Sequence, residues 1–253
     1  MTDSTQRFSD RVEAYVKFRP GYPVELVQTL LQKTRPGTGA VVADVGSGTG
    51  IFTRLLLDQE LKVFAVEPNA SMRHAAEEIF SGHPHFTSLD APAERTGLAD
   101  NSIDLITAAQ AFHWFNNAAT KAEFRRILKA DGKLALIWNR RKVSQPFQQA
   151  YDAMLKTYAP EYGVVNHMNL SEADIAEFFD AGQMEVLRFD NCQQLTFPGL
   201  LGRLKSSSYC PAEISPQYPS LVAELSGLFE QFAVNDMIEF QYDTQLYLGP
   251  IAV

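Results

Sequence analysis

The chain has 253 residues, 45% of them hydrophobic and 21% charged, with a formal net charge of -8 at pH 7 and a pI near 5.2. That length buries one sizeable core, and the composition excludes a fibrous, disordered or membrane-spanning protein. The acidic balance argues against nucleic acid, because the one basic run, Arg140-Arg141-Lys142, is too short to track a polyanion; a small molecule is the expected partner.

No basic-then-apolar pattern opens the chain and no apolar run approaches the roughly 20 residues that span a bilayer, so no membrane association and a cytoplasmic location are expected. Cys192 and Cys210 are read as two buried thiols rather than a disulfide, and neither belongs to a Cys/His cluster suited to zinc. A monomer or a homodimer is expected.

Phe8, Val12, Tyr15, Val16 and Phe18 recur at helical spacing ahead of Arg19-Pro20, which predicts a helix that closes over a site or docks on the sheet. A helix follows from Pro23 to Thr34, then an apolar strand from Ala40 to Val45. Ile51 to Asp58 reads as a helix, Lys62 to Glu67 as a buried strand, Asn69 to Ser81 as a helix and His85 to Leu89 as a weaker strand. Strands are predicted over 103–109 and 133–138, joined by an amphipathic helix over 118–129 that the turn Asp131-Gly132 ends. Strand–helix alternation with near-continuous apolar strands predicts a doubly wound α/β fold with a mostly parallel sheet. Beyond it, 143–181 reads as helices and loops, Met184 to Phe189 as a strand extending toward Phe197, 200–207 and 219–233 as helices, and 237–248 as a last strand. The expected organisation is one domain: a lid over 1–22, a core over 23–142, a helical insertion or cap over 143–180, and a final part over 181–253 that completes the sheet.

The chemistry concentrates in Asp44-Val45-Gly46-Ser47-Gly48-Thr49-Gly50, between a strand and a helix. Gly46, Gly48 and Gly50 let the backbone turn sharply and approach a ligand, and the helix that follows presents free N–H groups. A dinucleotide fingerprint requires a third glycine where this chain has Ile51, and a pyrophosphate would be repelled by Asp44. An acid at Asp44 suits the ammonium group of an amino-acid moiety. Glu67, at the end of the second strand, suits the two hydroxyls of a ribose.

These segments resemble the class I S-adenosylmethionine-dependent methyltransferases, specifically the type-11 branch. The similarity runs through Val42–Gly50, Ala65-Val66-Glu67-Pro68-Asn69 with Met72, Ala93-Glu94, Ser102-Ile103-Asp104, Ala111-Phe112-His113-Trp114-Phe115 and Leu128–Asn139. Phe18–Pro23, Tyr242-Asp243-Thr244 and Tyr247 are similar to a subgroup that contains trans-aconitate and cantharidin methyltransferases. The resemblance implies a Rossmann-like sheet of seven strands, six parallel and the last antiparallel. It implies that Asp44, Gly46, Ser47, Gly48 and Gly50 hold the methionine part of S-adenosylmethionine and that Glu67 holds its ribose. Pro68, Asn69 and Met72 would pack on the adenosine, Ala93 would meet the adenine with Glu94 nearby, and Gln110 would stand beside the sulfonium. Relatives place an aspartate just before the Ala-Glu pair, where this chain has Pro92; Asp90 is the substitute considered.

The expected reaction is methyl transfer to a small molecule, with S-adenosylhomocysteine as product and the oxygen of a carboxylate as acceptor. Alternatives are C- or N-methylation of a lipid, quinone or natural product, a nicotinamide-dependent oxidoreductase, and a non-catalytic cofactor-binding regulator. His113 is the candidate general base, and Tyr15, Arg19, His113, Trp114 and Tyr209 are the candidate acceptor pocket; no metal is expected. The acidic pI disfavours a strongly anionic acceptor unless arginines such as Arg19, Arg140 or Arg203 line that pocket.

Overall fold

The computed structural model describes residues 12–37, 39–165 and 170–251. Phe8, the first apolar position of the expected lid helix, lies outside the described residues. The elements, in chain order, are α1 (Val12–Phe18), α2 (Val24–Thr34), β1 (Val41–Val45), α3 (Ile51–Leu57), β2 (Lys62–Val66), α4 (Ala70–Ile79), β3 (Phe86–Leu89) and β4 (Ile103–Ala109). A 3-10 turn (Phe112–Trp114) leads to α5 (Ala118–Ile127), β5 (Leu128–Arg141), α6 (Pro146–Tyr158), α7 (Tyr162–Val165) and α8 (Glu172–Ala176). The chain closes with β6 (Glu185–Leu195), α9 (Phe197–Lys205), α10 (Tyr218–Phe232) and β7 (Ile238–Gly249).

The seven strands form one sheet in the order β3-β2-β1-β4-β5-β7-β6. Strands β1 to β5 pair in parallel, and β7 runs antiparallel between β5 and β6, so the expected six-plus-one arrangement is present. The strand pleat divides the core into two layers. Val42, Leu105, Ala135 and Ile137 face the apolar stripes of α2 and α3, while Ala43, Ile106, Leu134 and Leu136 face Phe124 and Ile127 of α5. The order reverses between β1 and β4, and it is there, beyond the carboxyl ends of the strands, that an open α/β sheet leaves a crevice.

Three local readings of the sequence change. Helix α5 ends at Ile127, not 129, because Leu128 turns to an extended backbone and is buried. Ile103 pairs with Leu128 and Leu105 with Lys133, so Asp131-Gly132 lies in an irregular stretch of β5 rather than in a separate turn. Cys192 is exposed, since it stands on the solvent face of the edge strand β6; Cys210 is buried, and neither is in a disulfide. The cap also has a wider origin than the 143–180 segment. A third apolar cluster joins Phe147, Tyr151 and Leu155 of α6 to Leu200 and Leu204 of α9 and Leu221 and Leu225 of α10, over Phe240 and Tyr242 of β7. Among the described residues, no helix is long and apolar enough to cross a membrane.

Candidate functional site

The turn after β1 is fixed from below. Gly46 and Ser47 donate their amides to the carbonyl of Val66, at 2.8 and 3.2 Å, and Gly50 donates to Ser47 at 2.9 Å. A β-carbon on Gly46 would stand 2.5 Å from that of Ala111, and one on Gly50 would stand 2.4 Å from the ring of Phe80; both glycines have positive φ. Gly48 faces the other way: a β-carbon there would meet only the sulfur of Met72, at 3.7 Å. Gly46 and Gly50 therefore shape the turn, and Gly48 presents its open side to the cavity. The amides of Gly46, Ser47 and Gly50 are spent within the protein.

Glu67 bridges the two halves of this end. One carboxylate oxygen accepts from the amide of Gly48 at 2.9 Å and the other from Asn69 at 2.8 Å, leaving lone pairs on both for further donors. Burial raises its pKa, and the two amides oppose that. Asn69 caps α4 by accepting from Met72, which seats Pro68, Asn69 and Met72 against the crevice. Asp44 is 1% exposed and accepts from Thr53 at 2.6 Å and Thr107 at 2.8 Å. Burial pushes its pKa up to about 6 against those two hydroxyls. With Ser47, Tyr15 and Tyr22 it lines a side recess of about 30 Å³, not the main cavity.

The main cavity has a volume of about 240 Å³ and runs along the strand ends. Over β1 and β2 it is walled by Gly46, Gly48, Glu67, Pro68, Asn69 and Met72, with Ala93 and Glu94 beside them. Gly50 does not line it. Asp90 is not available to an adenine: it forms a two-point ion pair with Arg73, at 2.9 and 3.0 Å, and Arg73 also donates to the carbonyl of Glu67. Pro92 lines the cavity directly, beside Ala93 and Glu94.

At mid-cavity, over β4, Gln110 has φ +57, a left-handed conformation that costs a non-glycine residue about 1 kcal/mol or more. Its side-chain nitrogen donates to the carbonyl of Asn139 at 3.2 Å, and its carbonyl oxygen is buried without a partner. His113 and Trp114 stand on the following 3-10 turn, with ring centroids 4.8 Å apart, and both line the cavity. Burial and the charge of Arg19 push the His113 imidazole down to about 4, so it is neutral at physiological pH.

The far end lies over β5 and β7. Tyr15 and Arg19 reach it from α1 and the strap that follows, with the guanidinium 4.7 Å from the tyrosine ring centroid. Tyr209 and Arg203 arrive from α9 and the loop beyond it, Arg141 from β5, and Tyr242 from β7. All five candidate acceptor residues thus come together. Arg203 lines the cavity as anticipated, but Arg140 does not: strand alternation points Asn139 and Arg141 inward, and Arg140 bonds to Leu170 instead. That alternation was the signal in the sequence that identifies Arg141. Tyr162 and Tyr242 carried no signal of their own. Burial raises the Tyr209 phenol, but Arg203, Arg141 and Arg19 outweigh it and hold its pKa below the usual range.

Residues 43–136 match a family model described as a methyltransferase domain. An uncharacterised methyltransferase of Mycobacterium tuberculosis is 37% identical over 139 residues, which is 55% of this chain and 54% of that protein, so the chain spans about half the length of that relative. A probable S-adenosylmethionine-dependent methyltransferase of Saccharomyces cerevisiae is 23% identical over 92% of this chain and 78% of its own. The solved structure of a putative type II methyltransferase from Anaeromyxobacter dehalogenans superposes with a TM-score of 0.71 at 21% identity, covering 93% of this chain and 99% of that one, and so shares the fold. The matched stretch contains the glycine turn, Glu67, Gln110 and His113, whereas Arg19, Arg141, Arg203 and Tyr209 lie outside it.

Proposed function

We propose that this chain is an S-adenosylmethionine-dependent methyltransferase that esterifies a carboxylate of a small molecule. The observation that carries the acceptor class is the far end of the cavity, where Arg19, Arg141 and Arg203 converge, and His113, which lines the same cavity, is neutral. An acceptor entering that end arrives as an anion and needs no base. S-adenosylmethionine supplies an electrophilic methyl carbon bound to a sulfonium. Glu67 accepts hydrogen bonds from the ribose hydroxyls, Met72 and Ala93 wall the adenine, and Asp44 attracts the ammonium from its recess, with one buried negative charge against one positive. A lone pair of the acceptor oxygen forms the bond to the methyl carbon as the carbon–sulfur bond breaks, and its electrons stay on sulfur; no proton moves. Gln110, held by Asn139, and Trp114 fix the approach, since an in-line displacement is governed by positioning.

The test is a screen for S-adenosylhomocysteine release over small mono-, di- and tricarboxylates, with the methyl ester identified by mass spectrometry. Product from amines or carbon acids and none from carboxylates would replace this acceptor class.

A further inference from the structure

The two edges of the sheet differ. One is the four-residue β3; the other is the eleven-residue β6. β6 pairs with β7 from Glu185↔Leu248 to Leu195↔Ile238 without a register shift, and it contains no proline. The amide of Lys142 donates to the carbonyl of Gln241 at 3.1 Å, so Gln241 faces β5 and the next residue, Tyr242, faces β6. Asn191, opposite Tyr242, therefore directs its backbone groups to β7. By alternation Val186, Arg188, Asp190 and Cys192 direct theirs to the open edge, where no strand of the described residues pairs with them. Their side chains share one outward face: Val186 is 37% exposed, the Asp190 side chain 92%, and Cys192 is exposed. A regular edge of this length is a template for another strand.

The side chains on this face name the occupant, because the row is complementary to itself when reversed. Val186, Arg188, Asp190 and Cys192 read apolar, cation, anion, apolar. Two copies running antiparallel about a two-fold axis at Phe189 set Arg188 opposite Asp190 of the partner subunit, twice, and Val186 opposite Cys192 of the partner subunit, twice. An axis at Arg188 or at Asp190 would set that charge against its own copy, and one at Leu187 or Asn191 leaves both charges opposite uncharged residues. An axis between two residues would set groups that face the edge against groups that face β7, and no ladder forms. Charges on an edge ordinarily guard it against pairing; here they reject the neighbouring registers and leave one. Within the chain Arg188 meets Glu172 and Asp243, and Asp190 meets Lys142, all on exposed surface where a further partner can share them. We infer that β6 is a self-association surface: two copies join edge to edge, antiparallel about Phe189, and the two sheets become one.

The experiment is analytical ultracentrifugation of the full chain over a wide range of concentration, with the melting temperature of each variant measured alongside. The wild type is expected to sediment at twice its 28.2 kDa. Asp190→Arg sets like charges opposite each other at both symmetry-related places and should weaken self-association about tenfold or more. Adding Arg188→Asp to the same chain exchanges the pair and should restore the dimer. If Asp190→Arg does not fold, Val186→Cys carries the test. Its new thiol stands opposite Cys192 of the partner subunit at a Cα separation of about 5.5 Å, within reach of a disulfide. Glutathione disulfide should then link the copies covalently, with Cys192 in the bridging peptide by mass spectrometry, and Cys192→Ser in the same chain should abolish the link. A wild type that stays at 28.2 kDa at every concentration overturns the proposal. So does a dimer that folded Asp190→Arg leaves intact, or a dimeric Val186→Cys that forms no link through Cys192.

Discussion

The ring of Phe18 packs against Gly202, with its nearest carbons 2.3 Å from where a β-carbon on that glycine would project. Gly202 is buried in α9, one residue before Arg203, and Phe18 closes α1, one residue before Arg19. The contact therefore seats the strap that delivers one arginine on the helix that delivers the other. A Gly202→Ala substitution forces the ring away, an overpacking that costs about 1–3 kcal/mol. The acceptor KM is expected to rise about tenfold, with the affinity for S-adenosylhomocysteine within twofold of wild type. Steady-state kinetics and calorimetry on the same preparation check it, and an equal loss in both would show a general disruption instead.

Asp44 links the cofactor to pH. Its native pKa of about 6 exceeds its ordinary 3.8, so the folded chain holds this proton more tightly than the unfolded one. The stability that this contributes is fully present below about pH 4 and is lost as pH rises to about 6; the gap corresponds to about 3 kcal/mol. An ammonium in the recess favours the ionised form, so cofactor affinity should fall as pH is lowered through 6. Asp44→Asn should be at least as stable as wild type to urea at pH 8, yet bind cofactor weakly at every pH. A wild-type affinity flat from pH 5 to 8 would contradict the assignment.

Glu67 offers a cleaner test of the ribose contact. Glu67→Gln keeps the shape but loses an acceptor, and the amides of Gly48 and Asn69 can no longer both be satisfied. A weakening of about 1.5–3 kcal/mol is expected for S-adenosylhomocysteine, tenfold or more in Kd, by calorimetry. Adenine alone, which lacks the ribose, should bind both proteins alike.

His113 is predicted to be dispensable as a base. With its imidazole pushed down to about 4, the profile of kcat/KM against pH should show no limb near 6.5. His113→Asn should cost less than about tenfold, well short of the 10²–10⁴ expected for a general base. A larger loss that exogenous imidazole restores would reinstate the base.

The mostly parallel sheet was legible because it depends on short apolar strands such as 103–109, whose burial on both faces removes any ambiguity of pattern. The cofactor end was legible for a similar reason: Asp44, the glycines and Glu67 act through backbone geometry within one βαβ unit, where spacing in sequence is spacing in space. The role of Gly50 was misread, since only the position of Phe80 shows that it serves packing rather than a ligand. The far end was only partly legible. Arg19, Arg141, Arg203 and Tyr242 come from four separate parts of the chain, and no local pattern marks a pair such as Arg19 and Ser206, 187 positions apart.

The strap at Phe18–Gly21 is clamped by side-chain amides: Gln193 donates to the carbonyl of Phe18, while Asn139 and Asn191 both donate to that of Gly21. Those partners lie 118 to 175 residues downstream. During vectorial synthesis, the crevice of β1, β2 and β4 is complete once β5 has emerged, whereas the first-made segment must wait for β6 and α9 before it has a place to dock. A segment made before the crevice thus settles after it, and the ability to choose an acceptor is acquired only after the ability to hold the methyl donor.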